Sequence, residues 1–133
     1  MIVMIDTNVF ISAALFPNGT VACALKKALR QPYQPVTCEY VVDELHRKFQ
    51  EKFPKKLVEL EAFLYIALQS VHVVETPAVV YEEELKIRDL KDRPILRAAI
   101  SGKVDLFLTG DKDFLESSVE DPRIISPADF LKM

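Results

Sequence analysis

Hydrophobic and polar positions along the chain follow two periods, and the switches between them mark the elements. Met1 to Ile5 is apolar without alternation and closes on Asp6, which fits a strand buried on both faces of a parallel sheet and therefore lying near its centre. Beyond the turn signal Pro17-Asn18-Gly19, Val21, Ala24, Leu25, Ala28 and Leu29 recur at helical spacing, with Thr20 placed to cap them. Gln34 to Thr37 reads as a short extended segment. A helix follows from about Glu39 to Phe49, its core stripe formed by Val41, Val42, Leu45 and Phe49. Each helical residue turns by roughly 100°, so Glu44 falls on the margin of that stripe and Asp43 on the solvated side.

After Pro54, the spacing of Leu57, Leu60, Leu64 and Leu68 predicts another helix, and Val71 to Val74 a strand. Tyr81 to Arg88 predicts a solvated helix anchored by Leu85. Asp92-Arg93-Pro94 opens a helix that runs through Ala99, with Pro94 in its first turn. Asp105 to Leu108 is a strand ending at Thr109-Gly110-Asp111, a helical turn spans Lys112 to Ser117, and Arg123 to Ile125 is a last strand. Strands separated by helices throughout predict the α/β class, a doubly wound, mainly parallel sheet of about five strands in a three-layer α/β/α sandwich.

Composition narrows the classes. The chain has 133 residues, 50% hydrophobic and 28% charged, which suits one compact domain over residues 1–133 without disulfides or metals as staples. No run approaches the roughly 20 apolar residues that span a bilayer, and the N-terminus lacks the basic and apolar regions of a signal peptide, so a cytoplasmic protein without membrane segments is expected. Cys23 and Cys38 stand apart, with no Cys/His spacing suited to zinc, and read as two reduced, largely buried thiols. A formal net charge of -3 argues against a broad basic phosphate-binding face.

In an open parallel sheet, ligands bind beyond the carboxyl ends of the strands. Asp6 and Asp111 follow strands, Asp92 opens the helix feeding the strand before Asp111, and Glu44 rides the helix after the second strand. Taken singly, Asp6, Asp92 and Asp111 could be N-caps and Glu44 a solvated helix residue. Taken together, they repeat one charge at one sheet edge. Two carboxylates about 4 Å apart repel by roughly 4 kcal/mol at an effective dielectric near 20, a cost that a bound divalent cation removes. Carboxylate oxygen without clustered Cys or His is the ligand set of Mg²⁺ or Mn²⁺, and a water on such a metal can attack a phosphodiester.

Asp6-Thr7-Asn8 after the N-terminal strand, Glu44-Leu45, the segment Asp92-Arg93-Pro94-Ile95-Leu96-Arg97-Ala98-Ala99, and Thr109-Gly110-Asp111-Lys112-Asp113-Phe114 occur in an order that resembles the PIN-domain ribonucleases. The resemblance covers essentially the whole chain and is closest to the single-domain VapC-like toxins of type II toxin-antitoxin pairs. It implies a metal-dependent endoribonuclease acting on RNA, a homodimer, and a small antitoxin as inhibiting partner. By position it implies Asp6, Glu44, Asp92 and Asp111 as catalytic and metal-binding acids around Mg²⁺ or Mn²⁺. Asn8 and Thr109 would orient them, with Asp113 as a fifth metal-binding carboxylate that competes with Asp111 for the fourth place. The chain departs from the family pattern at Cys38, where a Ser frequently begins the helix carrying the Glu.

His46, on a polar helix flank, and His72, in a Val-rich strand, are read as structural rather than as an acid and base pair. Arg47, Lys48, Lys52, Lys55 and Lys56, with Lys26, Lys27 and Arg30, form solvated basic faces and are the first candidates for RNA phosphate contacts. A non-catalytic or antitoxin-silenced binding module of the same fold is the alternative reading. A phosphoryl-accepting receiver fits poorly, because Thr7 stands where a second acid belongs and Ser126-Pro127 follows the last strand, and a phosphohydrolase of the Asp-x-Asp type fits poorly because the chain has Asp6-Thr7-Asn8. Setting the four acids aside changes the formal charge from -3 to about +1, so the acidity is concentrated in one site.

Overall fold

The computed structural model describes residues 1–133. Five parallel strands form one sheet in the order β3-β2-β1-β4-β5: β1 (Ile2–Ile5), β2 (Gln34–Cys38), β3 (His72–Val74), β4 (Leu106–Leu108) and β5 (Arg123–Ile125). The strand predicted to be central is central. Val3, Met4 and Ile5 are fully buried, as expected for a strand with neighbours on both edges and helices on both faces.

Seven helices complete a three-layer α/β/α arrangement: α1 (Thr7–Leu15), α2 (Thr20–Ala28), α3 (Glu39–Lys52), α4 (Leu57–Leu68), α5 (Arg93–Ser101), α6 (Lys112–Leu115) and α7 (Pro127–Leu131). The stripe Ala24, Leu25 and Ala28 of α2 is buried, as are Val41, Leu45 and Phe49 of α3. Gly19 rather than Thr20 occupies the N-cap of α2. Two helices have no counterpart in the predicted elements. In α1, Val9, Phe10, Ile11, Ala13, Ala14 and Leu15 spread apolar side chains around most of the helix, which leaves too little contrast for a stripe to be read. In α7 there are only five residues, too few for a period. Lys27 holds α7 onto α2, its Nζ donating to the carbonyl of Phe130 at 2.6 Å and lying 4.7 Å from that residue's ring centroid.

Two further expectations change. Residues Glu82–Lys86 form a short 3₁₀ turn, and Leu85 is 58% exposed; the anchors are Ile87, fully buried, and Glu84, only 1% exposed and ion-paired to Arg97 at 2.7 Å. A buried acid can replace an apolar anchor here because Arg97 offers a bidentate partner, Nε and Nη2 each meeting one Glu84 oxygen. Cys38 is buried as expected, but Cys23 is exposed, since it faces away from the Ala24–Ala28 stripe. No single helix is long and apolar enough to cross a membrane.

Candidate metal centre

Strand register brings the first pair of site residues together. Ile5 pairs with Leu108, so the next residue on each strand, Asp6 and Thr109, emerges side by side at the carboxyl edge of β1 and β4. Asp6 is 3% exposed and Thr109 fully buried. One Asp6 oxygen caps α1 by accepting the Thr7 amide at 2.8 Å. The other accepts from Thr109 Oγ1 at 2.7 Å and from Asn8 Nδ2 at 3.2 Å. Asn8 reaches back across the gap, its Oδ1 accepting the Gly110 amide at 2.9 Å, while Thr109 Oγ1 accepts the Asp111 amide at 3.0 Å. Both polar residues therefore tie the end of β1 to the loop after β4. Three bonds on a carboxylate with about four lone-pair sites leave room for a cation.

Burial pushes the Asp6 carboxyl up to about 6, against the hydrogen bonds from Thr109 and Thr7, with further upward pressure from the charges of Glu44 and Asp111. Asp92 is pushed up to about 7, first by burial and then by the charges of Asp6, Asp111, Asp89 and Glu44. Asp6 and Asp92 thus both feel the charges of Glu44 and Asp111 at one sheet edge. Asp92 stands at the start of α5 but makes no side-chain capping bond, so its carboxylate is free for other work. Asp111 does cap α6, one oxygen accepting the Asp113 amide at 2.9 Å. Glu44 is half-buried on α3, with Arg47 3.8 Å and Lys48 4.0 Å away on the same helix.

Of the other nominated acids, Asp92 is the one gathered with Asp113. The Asp113 carboxylate pairs with Arg88 and gathers with Asp89 and Asp92, the three side chains offering oxygens within 4.8 Å of one another. Asp89 was not among the acids singled out from sequence. It belongs to the irregular segment after Ile87, where no strand or helix end flagged it, and its spacing of three residues from Asp92 across a turn was the one available signal; the Asp92 amide donates to the Asp89 carbonyl at 3.1 Å.

The acids at this edge offer carboxylate oxygens, joined by the Thr109 hydroxyl and the Asn8 amide oxygen, a set that fits Mg²⁺ or Mn²⁺ better than a softer ion. The one nearby sulfur does not compete: burial, with a smaller contribution from Asp6, holds the Cys38 thiol up at about 11 and therefore protonated. His46 is turned to Glu61 at 2.9 Å, and His72 lies exposed on the edge strand β3, so neither supplies a ligand to the acids.

The fold that carries these acids is shared with known proteins. A family model described as PIN domain matches residues 2–113. No curated protein matches the chain in sequence. Among solved structures, the chain is similar to VapBC2 from Rickettsia felis bound to a DNA fragment from their promoter, at 17% identity and a TM-score of 0.73, covering 95% of this chain and 98% of that one. It is similar to a toxin-antitoxin complex from Klebsiella pneumoniae at 20% identity and a TM-score of 0.64, over 94% and 97% of the two chains. FitAB bound to an IR36 DNA fragment is similar at 18% identity and a TM-score of 0.66, over 94% of each chain. Likeness at these identities shows the fold.

Proposed function

Because this chain belongs to the PIN-domain family, whose members are generally nucleases, we propose that it is a metal-dependent endoribonuclease, the toxin component of a toxin-antitoxin pair acting in the cytoplasm. The observation that carries the reading is Asp6. A nearly fully buried carboxylate, fixed through both oxygens, faces the charges of Glu44 and Asp111 and adds its own to Asp92. Folding alone would disperse such charge, and a divalent cation makes its concentration favourable.

In this reading Asp6, Glu44, Asp92 and Asp111 hold Mg²⁺ or Mn²⁺, with Asp113 at the margin. When bound, such a metal would supply an activated water and neutralise charge on the phosphodiester. The chain's own residues do the rest. Thr109 and Asn8 fix the direction of the Asp6 carboxylate through bonds of 2.7 and 3.2 Å. Asp111 is oriented by its cap on α6, and the uncapped Asp92 carboxylate is free to position a water.

The toxin assignment draws on the similar structures, one of which is described as a toxin-antitoxin complex. An apolar groove of about 220 Å³ between α1, α2 and α4, lined by Ala13, Ala22, Leu25, Phe63 and Ile66, is the surface we assign to an antitoxin helix. Exposed Val79, Val80, Leu85 and Leu90 are the surface we assign to a homodimer contact.

The test is cleavage of RNA by the purified protein. Activity with Mg²⁺ or Mn²⁺, lost on chelation and lost in a folded Asp6→Asn variant, is the expected result. Cleavage that survives chelation would remove the metal mechanism. A folded wild type that cleaves no RNA yet binds a co-expressed antitoxin would leave the silenced binding module in its place.

A further inference from the structure

Apart from Arg47 and Lys48, the basic residues that stand out along the sequence lie away from the acidic centre. Lys26, Lys27 and Arg30 close α2 just before β2 begins, and Lys52, Lys55 and Lys56 lie at and beyond the far end of α3. Both groups belong to the amino-terminal edge of the sheet, because α3 starts at the carboxyl edge with Glu39 and runs away from it at about 1.5 Å per residue. Lys27 is already committed to the carbonyls of Phe130 and Met133, at 2.6 and 3.0 Å. Two sets of cations from other positions stand beside the acids. Arg47 and Lys48 flank Glu44 on one side. Lys86, Arg88 and Lys112 surround a cleft of about 200 Å³ on the other, completed by Asp113, Glu116 and Ser117.

We propose that the cleft of Lys86, Arg88 and Lys112 is a phosphate-binding subsite, which holds the RNA backbone next to the bond cleaved at the acidic centre. The inference rests on the nuclease reading and adds to it where the strand leaves the metal site. Asp113 is a wall common to both places: it lines the cleft and also gathers with Asp89 and Asp92. A strand seated on the acids therefore has this cleft as its neighbour.

The cations are available. Lys112 makes no ion pair, and the exposed Lys86 pair with Glu83, at 3.0 Å, is of a kind worth little in water. The Arg88 side chain is 87% exposed and meets Asp113 through a single nitrogen, which leaves most of its five donors free for phosphate oxygens. The cleft has no hydrophobic lining, which speaks for backbone rather than base recognition. Glu116 is the one opposing charge with no partner of its own, and its removal should favour the ligand.

The test measures equilibrium binding of a fluorescent single-stranded RNA as a function of salt, beside cleavage with Mg²⁺. Lys86→Ala/Arg88→Ala/Lys112→Ala should weaken binding at least tenfold and make the slope of log K against log salt shallower by about two. Glu116→Gln should tighten binding. Lys52→Ala/Lys55→Ala/Lys56→Ala removes the same charge at the far end and should leave both readouts within about twofold of the wild type. Equal loss in both triple variants would reduce the effect to net charge, and unchanged binding in the cleft variant would overturn the subsite while a cleaving wild type leaves the nuclease reading intact. A wild type that neither binds nor cleaves RNA would remove both.

Discussion

Thr109 Oγ1 donates a 2.7 Å hydrogen bond to Asp6 Oδ2 across 103 positions of sequence, and the two side chains meet because Ile5 and Leu108 are register partners in adjacent parallel strands. Thr109 is fully buried. Thr109→Val keeps the shape and removes the donor, so the Asp6 carboxyl should rise further and the fold should lose about 1–3 kcal/mol in urea unfolding. Thr109→Ser should recover most of that loss. Equal stability of the Val and wild-type proteins would show the bond to be dispensable.

Metal and pH should act on stability in linked ways. Asp6 and Asp92 have folded values of about 6 and about 7 against ordinary values near 4, so between these limits the folded protein binds more protons than the unfolded chain. Stability of the metal-free protein therefore falls as pH rises from about 4 to 7 through this pair. Thermal unfolding in chelator should show a higher midpoint near pH 5 than near pH 7.5. Mg²⁺ or Mn²⁺ should raise the midpoint more at pH 7.5 than at pH 5, and a metal effect independent of pH would contradict the linkage.

Asp111 and Asp113 can be separated by substitution. Asn caps a helix about as well as Asp, so Asp111→Asn should leave α6 and the thermal midpoint unchanged while cleavage falls by about 100-fold or more. Asp113→Asn releases Arg88 and should weaken metal affinity with a smaller loss of rate. Metal titration calorimetry beside single-turnover cleavage reads both effects. The reverse order of rate losses would make Asp113 the fourth acid.

Glu84 and Arg97 should contribute to stability from a distance. Arg97 and the Tyr81 amide hold the Glu84 carboxyl below its ordinary range, and burial opposes them only in part. That contribution is full above the unfolded value near 4.5 and is lost as pH falls through the lower folded value. Glu84→Ala leaves the Arg97 guanidinium, 14% exposed, without its partner and should cost about 3–5 kcal/mol, whereas Glu84→Leu with Arg97→Met should be far milder. Denaturant titrations of the two proteins decide it.

The local pattern was sufficient for much of this protein. An unbroken apolar run ending in Asp6 implies a central parallel strand, and the stripes of α2 and α3 place their buried faces and the half-buried margin of Glu44, because strand and helix periods are local properties. Helix α1 is not legible in this way, since six of its nine residues are apolar and leave little contrast between faces, and the anchor expected at Leu85 is instead supplied by Ile87 and the Glu84–Arg97 pair, whose partners lie 13 residues apart. Side chains of Asp6, Glu44, Asp92 and Asp111 could be nominated from where they stand relative to strand ends and helix starts. What they touch could not. The Asp6–Thr109 bond follows from the register of β1 on β4, the Asp89, Asp92 and Asp113 group from the fold of the loop before α5, and the cations beside the acids from which ends of α3 and α6 reach the carboxyl edge. Periodicity records how each segment buries its own face, whereas contacts between segments depend on the packing that parallel crossovers impose.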